Sequence, residues 1–204
     1  MSAQARRRLQ RAQLVLASSS PARQALLRDA GIAFEMEPSG VEEVVFDAPT
    51  GEVVLELARQ KAAVVASRRP GGLVLGCDSL LEVDGVAYGK PISAHDAIER
   101  WRAQRARTAT LYTGHVLIDA ADGRQASEVV ATTVRFAAIA DEEIEAYVAS
   151  GEPLDKAGAF TLEGRSAPFV EGVEGDPSNV RGLSLPALRR LLGALGTPLI
   201  ELWR

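Results

Sequence analysis

The chain has 204 residues, 47% of them hydrophobic, and a formal net charge of −4. That length fits one domain, or one domain with two lobes, and the apolar content is enough for a sizeable core. The acidic balance speaks against a general nucleic-acid binder, the lone cysteine allows no intrachain disulfide and fits a reducing cytoplasm, and no apolar run approaches the roughly 18 residues that span a membrane.

Residues 1–13, MSAQARRRLQRAQ, carry Arg6, Arg7, Arg8 and Arg11 without the apolar segment of a secretory signal. They read as a flexible basic arm ahead of a single domain over 14–204. LVLA (14–17) is a buried strand. Ser20 is placed as an N-cap with Pro21 at the first helical position, and Gly31 ends that helix. IAFEME (32–37) alternates as a strand. From Thr50 to Arg68, residues Val53, Val54, Leu57, Lys61, Val64 and Val65 recur at helical spacing. GGLVLGCDSLLEV (71–83) is a buried strand with an aspartate near its end, and VDG (83–85) is a hairpin-like turn. Ser93 caps a helix to about Arg105. TLYTGHVLID (110–119) and SEVVATTVRFAAI (127–139) flank ADGR as an antiparallel pair. Asp141 caps a helix ending at Gly151, short strands lie around Thr161 and Phe169, and Ser184 and Pro186 open a last helix. Helices alternating with strands, plus an antiparallel hairpin, predict a mixed-sheet α/β fold.

Ser18, Ser19, Ser20 and Arg23 stand where a strand gives way to a helix. Free backbone N–H groups and the helix dipole make such a junction an anion site, and an arginine there suits phosphate oxygens. A capped helix with polar loop residues is the plainer alternative, and GxxxxGK[ST] is absent. Lys61 sits inside an apolar stripe, where a lysine either snorkels or points into a cleft. Lys90, in YGKP, and Lys156, in LDKAG, are each ordinary as surface lysines. Beside a strand-end anion site they suggest a polyphosphate pocket. Asp78 follows an apolar run, at the sheet edge where open α/β folds bind ligands. A carboxylate there serves as a general base, holds a divalent cation, or caps a turn. Glu42 and Glu43 suit either a hard cation such as Mg²⁺ or a solvated loop. Cys77 points opposite to Asp78, into the core, which argues against a nucleophile. His95 and His115, without HExxH or CxxC, do not make a zinc site.

The blocks LASSSPARQALL, GVEE, LARQKA, GCDSLL, YGKP, GEPLDKAGAF and VEGDPSNVRGLSL come in the order seen in the Maf family, which the chain resembles over nearly its whole length. The resemblance implies a two-lobed α/β fold around a central cleft, inosine-triphosphatase-like, in the cytoplasm and often dimeric. It implies hydrolysis of nucleoside triphosphates between the α- and β-phosphates with a divalent metal, Mg²⁺ or Mn²⁺. It also links the chain to clearance of modified nucleotides and to arrest of septum formation, so a nucleotide-binding regulator with little turnover is the alternative. By position, Asp78 matches the proton acceptor, Ser18, Arg23, Lys61 and Lys90 match residues around the phosphates, and Glu43 matches an acidic residue near the site. Three base-specificity positions fall on Ala22, Ser79 and Glu163. The branch acting on uridine and thymidine nucleotides has arginine, threonine and glutamine there. The 7-methylguanosine branch has tryptophan first and shares only the glutamate. An ionised glutamate accepts but cannot donate, which favours amino-bearing base edges such as guanine or cytosine.

Overall fold

The structure, a computed structural model, describes residues 13–42 and 46–204. The first strand, β1 (Leu14–Leu16), is buried at every position, and beyond it the Ala17 amide still bonds Leu75 O at 2.9 Å. In α1 (Pro21–Asp29) the Ser20 side chain accepts from the Arg23 amide and Pro21 opens the first turn. The short β2 (Phe34–Met36) leads to the long α2 (Thr50–Ala66). β3 (Leu73–Val83) turns into β4 (Val86–Tyr88), and Ser93 caps α3 (Ala94–Gln104). β5 (Thr108–Asp119) and β6 (Gln125–Phe136) form the expected antiparallel pair. α4 (Asp141–Ala149) begins with Asp141 inside the helix; Ala140 is the cap residue, and its amide donates to Glu143. After three short 3₁₀ turns come β7 (Val170–Glu174), α5 (Pro177–Val180) and α6 (Leu185–Ala194), the last capped by Ser184. The strand expected around Thr161 is absent. The Thr161 amide and carbonyl both bond the Ser166 hydroxyl, at 3.0 and 2.8 Å, so that one side chain satisfies both groups locally.

Among the described residues seven strands make one mixed sheet in the order β2–β1–β3–β5–β6–β7, with β4 paired to the outer part of β3. β1 runs parallel to β2 and β3, and the other pairings are antiparallel. One face is covered by α2, which lies very close to the strands. A Cβ at Gly76 would sit 2.2 Å from Ala58 O, and one at Gly114 would sit 2.3 Å from Val54 O. Glycine at these two places is what lets the helix backbone touch the sheet.

The opposite face carries two separate cores. Leu14, Leu16, Leu73, Leu75, Cys77 and Leu117 pack under α1 and α6. Leu81, Val83, Leu111, Val134 and Phe136 pack under α3 and α4 around Trp101. Ser79 and Thr113, directly opposite each other, fall between the two cores. β3 and β5 therefore run through both lobes, with a polar seam where one core stops and the other begins.

Asp78 is not at the end of its strand but in the middle of β3, which continues to Val83. The strand that ends beside it is β1. Leu16 pairs with Leu75, and β4 takes up the same side of β3 only at Leu81. Residues 78–80 thus show an open edge, framed by the Ser18–Ser20 loop on one side and the β4 hairpin on the other.

Candidate active site

A cleft of about 310 Å³ opens at that edge. Because it opens on an edge and not a face, neighbours of opposite sense both reach it. Asp78 enters from the α2 face and Ser79 from the other. Ser18, Ala22, Arg23, Lys61, Asp78, Ser79 and Lys90 all line it, as does Lys156. Glu43 falls outside the described residues, and Glu42 is exposed beyond the lining.

The centre is an ion pair. Lys61 Nζ lies 2.5 Å from Asp78 Oδ1, with side-chain exposures of 8% and 7%. The apolar stripe of α2 explains it, since Lys61 shares that buried face with Leu57, Ala58 and Val65 but projects past the end of β1. Of the two fates open to a lysine in such a stripe, the cleft is the one adopted.

Arg23 is also buried, at 9% exposure. Its Nε donates to Gly182 O at 2.6 Å, Nη1 to Ser18 Oγ at 3.1 Å and Nη2 to Ser79 Oγ at 3.1 Å. These three acceptors are all neutral. Among the described residues the guanidinium bonds only neutral oxygens, so an incoming anion is favoured beside it. The Ser18 hydroxyl also accepts from the Ser20 amide at 3.2 Å, so the loop between β1 and α1 is folded around the arginine. With the N-terminus of α1 facing the same space, the wall is an anion cradle.

His115, fully buried on β5, helps hold the far side. Its Nε2 accepts from the Ser184 amide at 2.8 Å, which fixes the turn that offers Gly182 O to Arg23. Burial first, and then the nearby Arg23 charge, push the imidazole down to about 4, so it is neutral at pH 7. Cys77 points into the core, and burial pushes its thiol up to about 11, the opposite of an activated nucleophile.

Ser79 Oγ lies 2.9 Å from Thr113 Oγ1 as well as bonding Arg23, so its hydroxyl is engaged twice. Glu163 lies beside the cleft rather than in its lining. Its carboxylate is 59% exposed, with Oε1 2.8 Å from Arg181 Nε. Arg181 does line the cleft and also reaches Asp29 at 3.4 Å. Arg181 and the wall residues Asp155, Phe160 and Thr161 join the site only through the fold. For Arg181 the available signal was an arginine beside the turn at Gly182, in NVRGLS. Among the described residues no group of three or more His, Cys, Asp or Glu is placed to hold a metal, and no helix is long and apolar enough to cross a membrane.

Comparison with known proteins gives four findings. The family model described as Maf-like protein matches residues 13–195. A nucleoside triphosphate pyrophosphatase of Streptomyces coelicolor is 58% identical over 196 residues, covering 95% of each chain. One of Thermosynechococcus vestitus is 54% identical over 189 residues, 92% of this chain and 96% of that one. Among solved structures, the Staphylococcus aureus Ham1 protein is similar with a TM-score of 0.42 and 15% identity, covering 62% of this chain and 72% of that one.

Proposed function

The chain belongs to the Maf family, and from that premise we propose that it hydrolyses nucleoside triphosphates to a nucleoside monophosphate and pyrophosphate. The observation that carries the reading is a buried carboxylate, Asp78, paired with Lys61 in a cleft that Arg23, Ser18 and the α1 N-terminus also line. Lys90 supplies a further cation to the lining. Cations and N–H groups neutralise the triphosphate tail and hold it for attack, which is most of what phosphoryl chemistry requires. Asp78 accepts a proton from water as the water oxygen bonds the α-phosphorus. The bond from that phosphorus to the bridging oxygen breaks, and pyrophosphate leaves with the electron pair.

A divalent cation, Mg²⁺ or Mn²⁺, fits this donor set only in company with substrate. Mg²⁺ commonly takes one or two carboxylates plus phosphate oxygens. Asp78 and Asp155 are the carboxylates that line the cleft among the described residues. When bound, the cation would neutralise phosphate charge.

The substrates we propose are non-canonical or modified nucleotides of the cytoplasmic pool, and the family resemblance adds a homodimer as the assembly. At the base end, Glu163 accepts hydrogen bonds and Ala22 leaves room, a combination that suits guanine or cytosine. Glu163→Gln is expected to shift turnover towards uracil nucleotides; an unchanged guanine-to-uracil ratio would remove Glu163 from base reading. A regulator with little turnover needs no carboxylate held beside a lysine at the phosphate site, so the enzyme is preferred.

A panel of nucleoside triphosphates, methylated bases included, with Mg²⁺ or Mn²⁺ in ¹⁸O-labelled water tests the reaction. Label in the monophosphate is expected. Label in pyrophosphate, or release of inorganic phosphate alone, would contradict attack at the α-phosphorus.

A further inference from the structure

Lys90 reaches the cleft from the segment Gly89–Ile92, between β4 and α3, and that segment is fastened from behind by two α3 side chains. Asp96 Oδ2 accepts from the Ile92 amide at 2.8 Å, and Asp96 Oδ1 accepts from Arg100 Nε at 3.0 Å. Arg100 lies with its guanidinium carbon 5.5 Å from the centre of the Tyr88 ring, and its Nη1 donates to Gly89 O at 2.6 Å. An Asp–Arg pair at i,i+4 on a helix is commonplace and by itself asks for no explanation. What the pair does not account for is the remaining donor, aimed at a loop carbonyl.

That carbonyl has a second partner. The Gly158 amide donates to the same Gly89 O at 3.0 Å, and Gly158 belongs to the segment that carries Lys156. The segment is held from the lobe core as well, because Trp101 Nε1 donates to Ala159 O at 2.9 Å. Gly89 O is therefore the joint at which two lysine-bearing segments meet, and Arg100 delivers a charge-assisted bond to it from outside the cleft. Arg100 itself is not among the residues that line the cleft.

We infer that Arg100 is a positioning residue for the phosphate-gripping wall, setting Lys90 and the Lys156 segment through the Gly89 carbonyl. The inference rests on the pyrophosphatase reading for its kinetic consequence but not for its structural one. Asp96 orients the arginine, the Tyr88 ring supports it, and the lysines place their ammonium groups where the triphosphate arrives.

The test combines a kinetic cycle with hydrogen exchange. Arg100→Met keeps the aliphatic stem over Tyr88 and removes the donors; Arg100→Lys restores a cation able to reach one acceptor, not both. With the best nucleotide of the panel, Arg100→Met is expected to raise KM about 10-fold and to change kcat by less than about 3-fold. In a Lys90→Ala/Lys156→Ala background the same change should move KM by less than about 3-fold, because coupled residues are not additive. Arg100→Lys should recover part of the loss. Without substrate, Arg100→Met should speed exchange at the Gly158 amide by about 10-fold or more. Equal KM effects in both backgrounds, or unchanged exchange at Gly158, would overturn the inference. If the parent protein turns over no nucleotide, the pyrophosphatase reading fails, and the exchange experiment still decides Arg100.

Discussion

Arg23 and His115 show how single residues here depend on one another. Arg23 presents its charge to the cleft because Gly182 O, Ser18 and Ser79 hold its fork. Gly182 O is in place because the Ser184 amide is tied to His115, and only a neutral imidazole accepts that bond. This link gives stability a pH dependence with a definite sign. The folded imidazole is depressed to about 4 from an ordinary 6.5, so between those values the unfolded chain binds a proton that the folded one refuses. Stability should fall as pH drops from about 6.5 to 4, by about 3 kcal/mol from this group. His115→Gln keeps an acceptor for Ser184 without the titration. Denaturant unfolding across this range should show a flatter pH slope for the variant; identical slopes would mean His115 does not set it.

At the scale of elements, the crossing of α2 over β3 and β5 places Lys61 against Asp78. The approach depends on Gly76 and Gly114. Gly114→Ala puts a carbon against Val54 O and should cost about 1–3 kcal/mol or more. Gly193, on the exposed side of α6, has nothing within 4 Å of an added Cβ, and Gly193→Ala should be neutral or mildly stabilising. Thermal melts of the two variants check the contrast, and equal effects would contradict the close approach. Much of this layer was readable beforehand. Ser20 with Pro21, the helical spacing from Thr50, and the alternation around ADGR each carry their element locally. The apolar run before Asp78 suggests a strand end, yet Asp78 lies mid-strand, because strand ends are set by partners. β3 outruns β1 and continues with β4 and β5, and nothing local to GCDSLL says so. Thr161 failed as a strand for a related reason: Ser166 satisfies its backbone.

The described residues form a long-stranded sheet with α2 packed on one face and two apolar cores on the other, separated by a polar seam, and the cleft is where that seam meets an unpaired strand edge. Several of its parts could be named from the residues alone, since a lysine within an apolar stripe and an aspartate after an apolar run are each odd in their surroundings. Their pairing across 17 positions of sequence, the double engagement of Ser79, and the Arg181–Glu163 contact are long-range events that follow only from register and crossing. The central claim is that this seam positions a triphosphate while Asp78 takes a proton from water. The direct measurement is pyrophosphate release by the parent protein and by Asp78→Asn at nucleotide concentrations that saturate both. The variant is expected to bind nucleotide with rates reduced by about 10²- to 10⁴-fold; an Asp78→Asn protein releasing pyrophosphate at the parental rate would contradict the claim.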